Sequence, residues 1–252
     1  MEKKHFKKIH HLGSPTKLTQ KIFFWCLGSF ALITIIIILV GTYITTPRTD
    51  KIVLSGLSGK NQIALTFNAG KEVSTEQIIA LTNMLQSAKI PFCTFFVPLG
   101  GAEELSPVWK AQIMNGNEIA YFYDGTNFDV INNTAITNSF TAWETYVQKN
   151  IDPSLTVTYI RAGDSYDYKD FYVQIALAQQ KANLIGWSVE LKDMAKIPLT
   201  DIQKILKAEV LDGAIIKMDI SDYNTTTLIN LLAAEAKTKN LTFVVLNQMF
   251  EP

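Results

Sequence analysis

The chain contains one long apolar stretch at residues 22–44, followed by a regular alternation of short apolar segments and longer segments of helical periodicity. The long stretch carries no charge, and a helix of this length crosses a hydrocarbon core of about 30 Å at about 1.5 Å per residue. Lysines crowd the tail at 1–21, so the pattern predicts a single anchor with a cytoplasmic N-terminus and an extracytoplasmic C-terminal domain. The apolar stretch exceeds the about 7 to 15 residues typical of a signal peptide, which favours an uncleaved anchor.

The alternation beyond the anchor predicts an α/β domain at 61–252, joined to the anchor by a polar, glycine-containing linker at 45–60. Strands separated by helices pair in parallel, and their continuous apolar character indicates that both faces are covered, as in a doubly wound sheet or a barrel. Function then lies at the carboxyl ends of the strands. The predicted strands are 62–67, 92–97, 118–122, 156–161, 184–189, 214–218 and 241–246. The predicted helices are 75–87, one starting at 106, 135–148, 169–181, 200–211 and 226–239.

Charge is distributed unevenly along a chain whose formal net charge is zero. The first 21 residues hold six lysines and one glutamate, and the remainder has 17 basic against 22 acidic residues. A mildly acidic domain lacks the clustered cations that neutralise phosphates, so nucleic acid is excluded as a partner. Cys26 lies in the anchor and Cys93 in a predicted buried strand, so no disulfide is expected, and Cys93 is expected to be a packed thiol.

Seven motifs of the domain, taken in order, resemble those of the polysaccharide deacetylases, the NodB homology domain of carbohydrate esterase family 4. The motifs of this chain are IALTFNAG (63–70), CTFFV (93–97), NGNEIAYFYDGT (115–126), YIRAGDS (159–165), WSVELKDM (187–194), GAIIKMD (213–219) and LTFVVLNQMF (241–250). The family motifs they resemble are V-A-L-T-F-D-D-G, A-T-F-F-V, E-G-H-E-I-G-N-H-T-Y-S-H, F-R-P-P-Y-G, W-S-V-D-x-x-D-W, G-S-I-I-L-L-H and Y-x-F-V-T-L-S-E-L-L. The resemblance implies a distorted seven-stranded (β/α) barrel that removes acetyl groups from N-acetylated sugars with the help of a metal ion, usually zinc.

The same resemblance places an unsuitable residue at each position with a family role. The catalytic base corresponds to Asn68, a neutral amide, and the metal-binding carboxylate to Ala69, which has no donor atom. The two histidine ligands correspond to Phe122 and Thr126, and the general-acid histidine to Asp219. We therefore expect a deacetylase fold without the family's catalytic machinery.

A histidine count supports this expectation independently of the alignment. The three histidines are His5, His10 and His11, all before the anchor, so the domain has no imidazole to hold zinc or to act as the acid. No cofactor is expected. Oxygen ligands for Ca²⁺, Mg²⁺ or Mn²⁺ remain an alternative to ordinary solvated loop acids. The acids in question are Asp124, Asp129, Asp164, Asp167, Asp219 and Asp222.

Two further positions match the family pattern. Arg161 and Asp193 correspond to its supporting arginine and acid, and we expect them to form an ion pair that is now structural. Trp187 lies in the motif that usually shapes the acetyl pocket, although a tryptophan at this place is also compatible with plain core packing.

Aromatic residues are the candidates for contact with a sugar. Phe122, Tyr166, Tyr168 and Trp187 are the predicted substrate-binding residues, since aromatic faces stack on sugar rings. The leading hypothesis is an inactive deacetylase-like protein of the cell membrane that binds cell-wall glycan or a partner protein. The alternatives are an active N-deacetylase with a histidine-free metal site, acting on peptidoglycan or chitooligosaccharide, and an inert spacer on a membrane anchor.

Overall fold

The computed structural model describes residues 25, 31–35, 52–70, 72–123, 133–156, 159–163, 182–192, 194–222 and 226–251. The chain divides into two compact units, Met1–Thr46 and Pro47–Pro252. In the first unit, Trp25 and residues 31–35 are helical and exposed. Most of the predicted anchor lies outside the described residues, and none of the helices described has the length and apolar character needed to cross a membrane.

The second unit is built from short strands that alternate with helices. The described strands are β1 (Ile52–Val53), β2 (Gln62–Asn68), β3 (Thr94–Val97), β4 (Glu118–Tyr123), β5 (Tyr159–Ala162), β6 (Asn183–Ile185), β7 (Val189–Glu190), β8 (Ile215–Asp219) and β9 (Thr242–Phe243). The helices are α1 (Thr75–Ser87), α2 (Leu99–Glu104), α3 (Ser106–Met114), α4 (Asn133–Asn150), α5 (Leu199–Glu209), α6 (Thr226–Thr238) and α7 (Leu246–Phe250). Short 3₁₀ turns occur at Met194–Lys196 and Ile220–Asp222. The predicted helix at 169–181 lies outside the described residues.

All paired strands of the sheet run parallel, in the order β1-β6-β5-β4-β3-β2-β8-β7, with β9 beside β2. The parallel α/β class is therefore confirmed, while the expected count of seven strands is wrong for the described part, which has nine. The strand predicted at 184–189 is interrupted: β6 pairs with β5, whereas β7 pairs with β8. Residues 186–188 thus connect β6, which is next to one end of the sheet, with β7 at the other end. The sheet curls into a half-barrel.

The predicted linker contributes to this sheet. Within 45–60, β1 pairs with β6, and Gly56 N–H donates to Gly213 O at 2.7 Å. The carboxylate of Asp212 accepts hydrogen bonds from the N–H groups of Gly59 and Gln62. A Cβ at Gly186 would meet Leu54 Cδ2 at 2.5 Å, so this segment passes close to the β6–β7 junction and Leu54 would have to move to admit a side chain there. The local composition of 45–60 does not reveal these contacts, because Ile52 and Val53 find their sheet partners far along the chain.

Strand alternation separates two cores. On β2, Ile63, Leu65 and Phe67 face the helices and join the larger cluster of buried residues. Ala64, between them, faces the opposite side, which we call the inner face, and packs with residues such as Phe96. The inner cluster also includes Leu246 of α7, so the short C-terminal helix covers the inner face at the amino ends of the strands.

Candidate functional site

The candidate site is the inner face at the carboxyl ends of β2, β5 and β8. Alternation directs five polar side chains to it: Thr66 and Asn68 from β2, Arg161 from β5, and Lys217 and Asp219 from β8. We call this group the mouth. The register of β2 and β8 places Thr66 beside Lys217 and Asn68 beside Asp219. The fold therefore brings Asn68, Arg161 and Asp219, predicted from separate motifs, to one place.

Arg161 is the fully buried centre of the mouth. Its Nη1 donates to Thr66 Oγ1 at 2.9 Å and to Asn68 Oδ1 at 3.1 Å. Its Nη2 and Nε donate to the carbonyl oxygens of Gly186 at 3.1 Å and Ile185 at 3.3 Å. The guanidinium therefore binds β2 to the β6–β7 junction and fixes the side chains it touches. Asp193 lies outside the described residues, and its ion pair with Arg161 stays a prediction.

Asn68 has a buried hydrogen-bond donor without a partner. It is 3% exposed, and its Oδ1 accepts the bond from Arg161. A guanidinium only donates hydrogen bonds, so the amide oxygen must face Arg161 and Nδ2 must point elsewhere. Within the described part of the chain, Nδ2 has no hydrogen-bond partner. Buried amide N–H groups without a hydrogen-bond partner are uncommon in proteins, so the unpaired Nδ2 of Asn68 needs a physical explanation.

Lys217 is a site residue that the sequence analysis did not single out. It is fully buried, its Nζ lies 2.9 Å from Glu190 Oε1, and it stands 4.3 Å from the centroid of the Trp187 ring. Arg161 Cζ lies 5.5 Å from the same centroid, so two cations lie close to the half-buried Trp187 ring. Its sequence position could have identified Lys217 as a site residue, because it lies two residues before Asp219, on the same face of the strand, and replaces a leucine of the family motif.

The described residues do not fit a metal ion. Ala69 is buried in the larger, outer cluster and offers no donor atom. Phe122 is 8% exposed and belongs to the inner cluster, where its ring packs as core. The one ligand atom of Asn68, its Oδ1, already accepts a hydrogen bond from Arg161, and its amide N–H groups repel a cation. Among the residues described, no three side chains of histidine, cysteine, aspartate or glutamate gather to hold a metal.

Several predicted residues have no described position. Tyr166 and Tyr168 lie outside the described residues, as does Thr126. The same holds for the acids at 124, 129, 164 and 167, and the side chain of Asp222 is likewise not described. The stacking role of the two tyrosines and the oxygen-ligand alternative therefore stay predictions.

The domain resembles known proteins in its structure. No family model matches the sequence, and no curated protein matches it either. A family 4 carbohydrate esterase pseudoenzyme from Bacillus anthracis is similar in structure, with a TM-score of 0.62 and 14% identity over 79% of this chain and 68% of that chain. A mutant of it described as having restored enzymatic activity has a TM-score of 0.63, at 14% identity over 79% of this chain and 71% of its own.

Active enzymes are similar to the same degree. A peptidoglycan N-acetylglucosamine deacetylase has a TM-score of 0.65, with 21% identity over 79% of this chain and 92% of its own. A family 4 carbohydrate esterase from Streptomyces lividans, in complex with acetate, has a TM-score of 0.60, with 17% identity over 73% of this chain and 92% of its own. The domain thus has the fold of the family 4 polysaccharide deacetylases, and the resemblance drawn from the motifs is confirmed.

Proposed function

We propose that the chain is a catalytically inactive relative of the polysaccharide deacetylases, anchored in the cell membrane by residues 22–44, whose extracytoplasmic domain binds cell-wall glycan. The observation that carries this proposal is the state of Asn68, which occupies the position of the catalytic base. Its amide oxygen is held by Arg161, and its buried nitrogen has no hydrogen-bond partner. A neutral amide in this setting takes no proton from water at ordinary pH.

The described mouth also lacks the groups with which the family meets the other requirements of amide hydrolysis. The reaction needs a polarised carbonyl, an activated water and an acid that protonates the departing amine. The described residues do not fit a metal ion, and no imidazole follows His11 in the sequence. Ammonium and guanidinium groups already occupy the inner face, and their charge opposes the arrival of a metal cation.

Glycan binding is supported by the composition of the mouth and by its structural neighbours. The half-buried Trp187 supplies an aromatic surface beside polar and charged groups, the usual combination in sugar sites. One similar structure is that of an enzyme acting on peptidoglycan, and another is that of a pseudoenzyme. A domain tethered to the outer face of the cell membrane would meet cell-wall glycan directly.

Acetate release tests the loss of activity. The purified chain is incubated with N-acetylated peptidoglycan, alone and with Zn²⁺, Mn²⁺ or Ca²⁺, and acetate is measured. We expect no release above the protein-free control under any condition. Metal-dependent release that disappears in Asp219→Ala would overturn the proposal in favour of an active deacetylase with a histidine-free site.

Sedimentation with insoluble peptidoglycan tests the binding. We expect the parent chain to sediment with the glycan, Trp187→Ala to do so at least about tenfold more weakly, and Met114→Ala to behave as the parent. Met114 is the control because its side chain is 81% exposed at the end of α3, on a helix outside the mouth. If the parent chain does not bind peptidoglycan, the glycan-binding hypothesis is rejected, and binding to a partner protein or a spacer role remains.

A further inference from the structure

We infer that Asn68 is a specificity-determining residue, whose Nδ2 donates a hydrogen bond to an uncharged oxygen acceptor of the bound glycan, a carbonyl or a hydroxyl. The inference rests on the proposed function and adds to it the group that makes the contact. It also gives this position the opposite hydrogen-bonding role, since the amide N–H of Asn68 donates where the catalytic base of the family would accept a proton.

The orientation of the amide follows from its neighbours. Arg161 Nη1 lies 3.1 Å from Asn68 Oδ1, and a flipped amide would set N–H against N–H. Thr66 does not serve Nδ2: its hydroxyl accepts from Arg161 at 2.9 Å and donates to Ile216 O at 2.8 Å, and no hydrogen bond joins it to Nδ2. The donor of Asn68 is therefore left for a partner from outside the described framework.

The location of this atom distinguishes it from the other unpaired ones. Within the described residues, three buried side-chain polar atoms lack a partner: Gln62 Oε1, Asn68 Nδ2 and Trp143 Nε1. Trp143 belongs to the outer cluster beneath the helices, and Gln62 begins β2 at its amino end. Only the atom of Asn68 lies at the carboxyl end of a strand on the inner face. This is the part of a parallel sheet where ligands bind.

The surroundings define the chemistry of the acceptor. A cation is excluded, because the N–H groups of Asn68 and the buried ammonium of Lys217 both oppose positive charge. An anion is disfavoured, because the carboxylate of Asp219 is the register neighbour of Asn68 and Glu190 lies beside Lys217. A neutral oxygen satisfies the donor at no electrostatic cost, and saccharides carry such oxygens as hydroxyl groups and, when N-acylated, as carbonyl groups.

The variant Asn68→Asp tests the inference in the full chain. Aspartate has nearly the size of asparagine, keeps an oxygen toward Arg161, and removes the donor, while its charge repels an oxygen acceptor. The probe is a soluble tetramer of N-acetylglucosamine, measured by isothermal titration calorimetry. We expect the dissociation constant to rise at least about tenfold in Asn68→Asp and to be unchanged in Asn83→Asp, a matched exchange on the exposed side of α1.

A second measurement does not depend on the fold of the variant. In ¹³C- and ¹⁵N-labelled parent protein, through-bond correlations assign the side-chain NH₂ signals of Asn68 without any variant. We expect the tetramer to shift these signals. If the parent binds the tetramer while the signals stay in place, or if Asn68→Asp binds as the parent does, the role of Asn68 is refuted and the proposed function stands. If the parent binds neither the tetramer nor peptidoglycan, the glycan branch fails as a whole.

Discussion

Ionisation of Glu118 should make the stability of the domain fall as the pH rises toward 8. Glu118 begins β4 at the amino end of the inner face and is 8% exposed. Burial raises the pKa of its carboxyl group to about 7, although hydrogen bonds from Thr94, Leu246 and Asn247 act to lower it. Thr94 Oγ1 lies 2.7 Å and Leu246 N 2.9 Å from Glu118 Oε2, so the charge would arise beneath the C-terminal helix.

The magnitude follows from proton linkage. Below the ordinary pKa of 4.5 the group is neutral in both states, so its full stabilising contribution is present. Between 4.5 and about 7 the unfolded chain ionises first, which favours unfolding. Each pKa unit of difference between the two states is worth about 1.36 kcal/mol, so the free energy of unfolding falls by about 2 to 3 kcal/mol between pH 5 and pH 8. The loss levels off above the folded-state pKa.

Urea unfolding at pH 5, 6, 7 and 8, followed by tryptophan fluorescence, measures this loss. With a denaturant dependence of about 2 kcal/mol per molar, the midpoint of the parent should fall by about 1 M across the range. Glu118→Gln should remove most of this fall, whereas Glu104→Gln, on an exposed side of α2, should keep it. The domain contains no histidine, so imidazole titration does not blur the comparison. Equal pH dependence in the parent and in Glu118→Gln would refute the reasoning.

Three further predictions concern the stability of two variants and the reactivity of the buried cysteine. Arg161→Met leaves buried oxygens on two strands without a donor and should lower the free energy of unfolding by at least about 3 kcal/mol in urea titrations; a loss below about 1 kcal/mol would contradict the bracing role. Gly116→Ala should lower the thermal midpoint more than Gly59→Ala. Both have positive φ, but only at Gly116 would the new Cβ meet the Phe92 ring, at 2.6 Å; equal losses would contradict this. Burial raises the pKa of the Cys93 thiol, so iodoacetamide should modify it at pH 8 only after unfolding, and rapid alkylation of the native chain would be inconsistent with the packing.

The elements with strong local signals could be predicted from the sequence. Helix α1 has the predicted bounds Thr75–Ser87, because Ser74 and Gln77 form a capping box at its start. The strands predicted at 62–67 and 118–122 are also present, and each is one residue longer than predicted. Their residues are buried almost without interruption, which is the local signal that predicted them. The motif order was enough to place Asn68, Arg161 and Asp219 together, because parallel strands share one carboxyl edge.

Other features depend on contacts between distant parts of the chain and left no clear local signal. The break after Ile185 arises because the chain exchanges β5 for β8 as its partner. The last strand, predicted at 241–246, covers only Thr242–Phe243, because Leu246 begins a helix whose first N–H binds Glu118. The orientation of the Asn68 amide is likewise set from a distance, by an arginine 93 positions away in the sequence.

The two faces of the strands explain how the fold can persist when the residues of the mouth change. On β2, Leu65 and Phe67 face the helices, while Thr66 and Asn68, alternating with them, face the mouth. A substitution at an inward position therefore alters the site without disturbing the contacts that hold sheet and helices together. The cost of such a change is confined to the inner face, where Arg161 now satisfies the oxygens of the neutral side chains on β2. The fold can thus be kept while the side chains of the mouth differ from those of the family, and under the proposed function these side chains determine which groups of the glycan are bound.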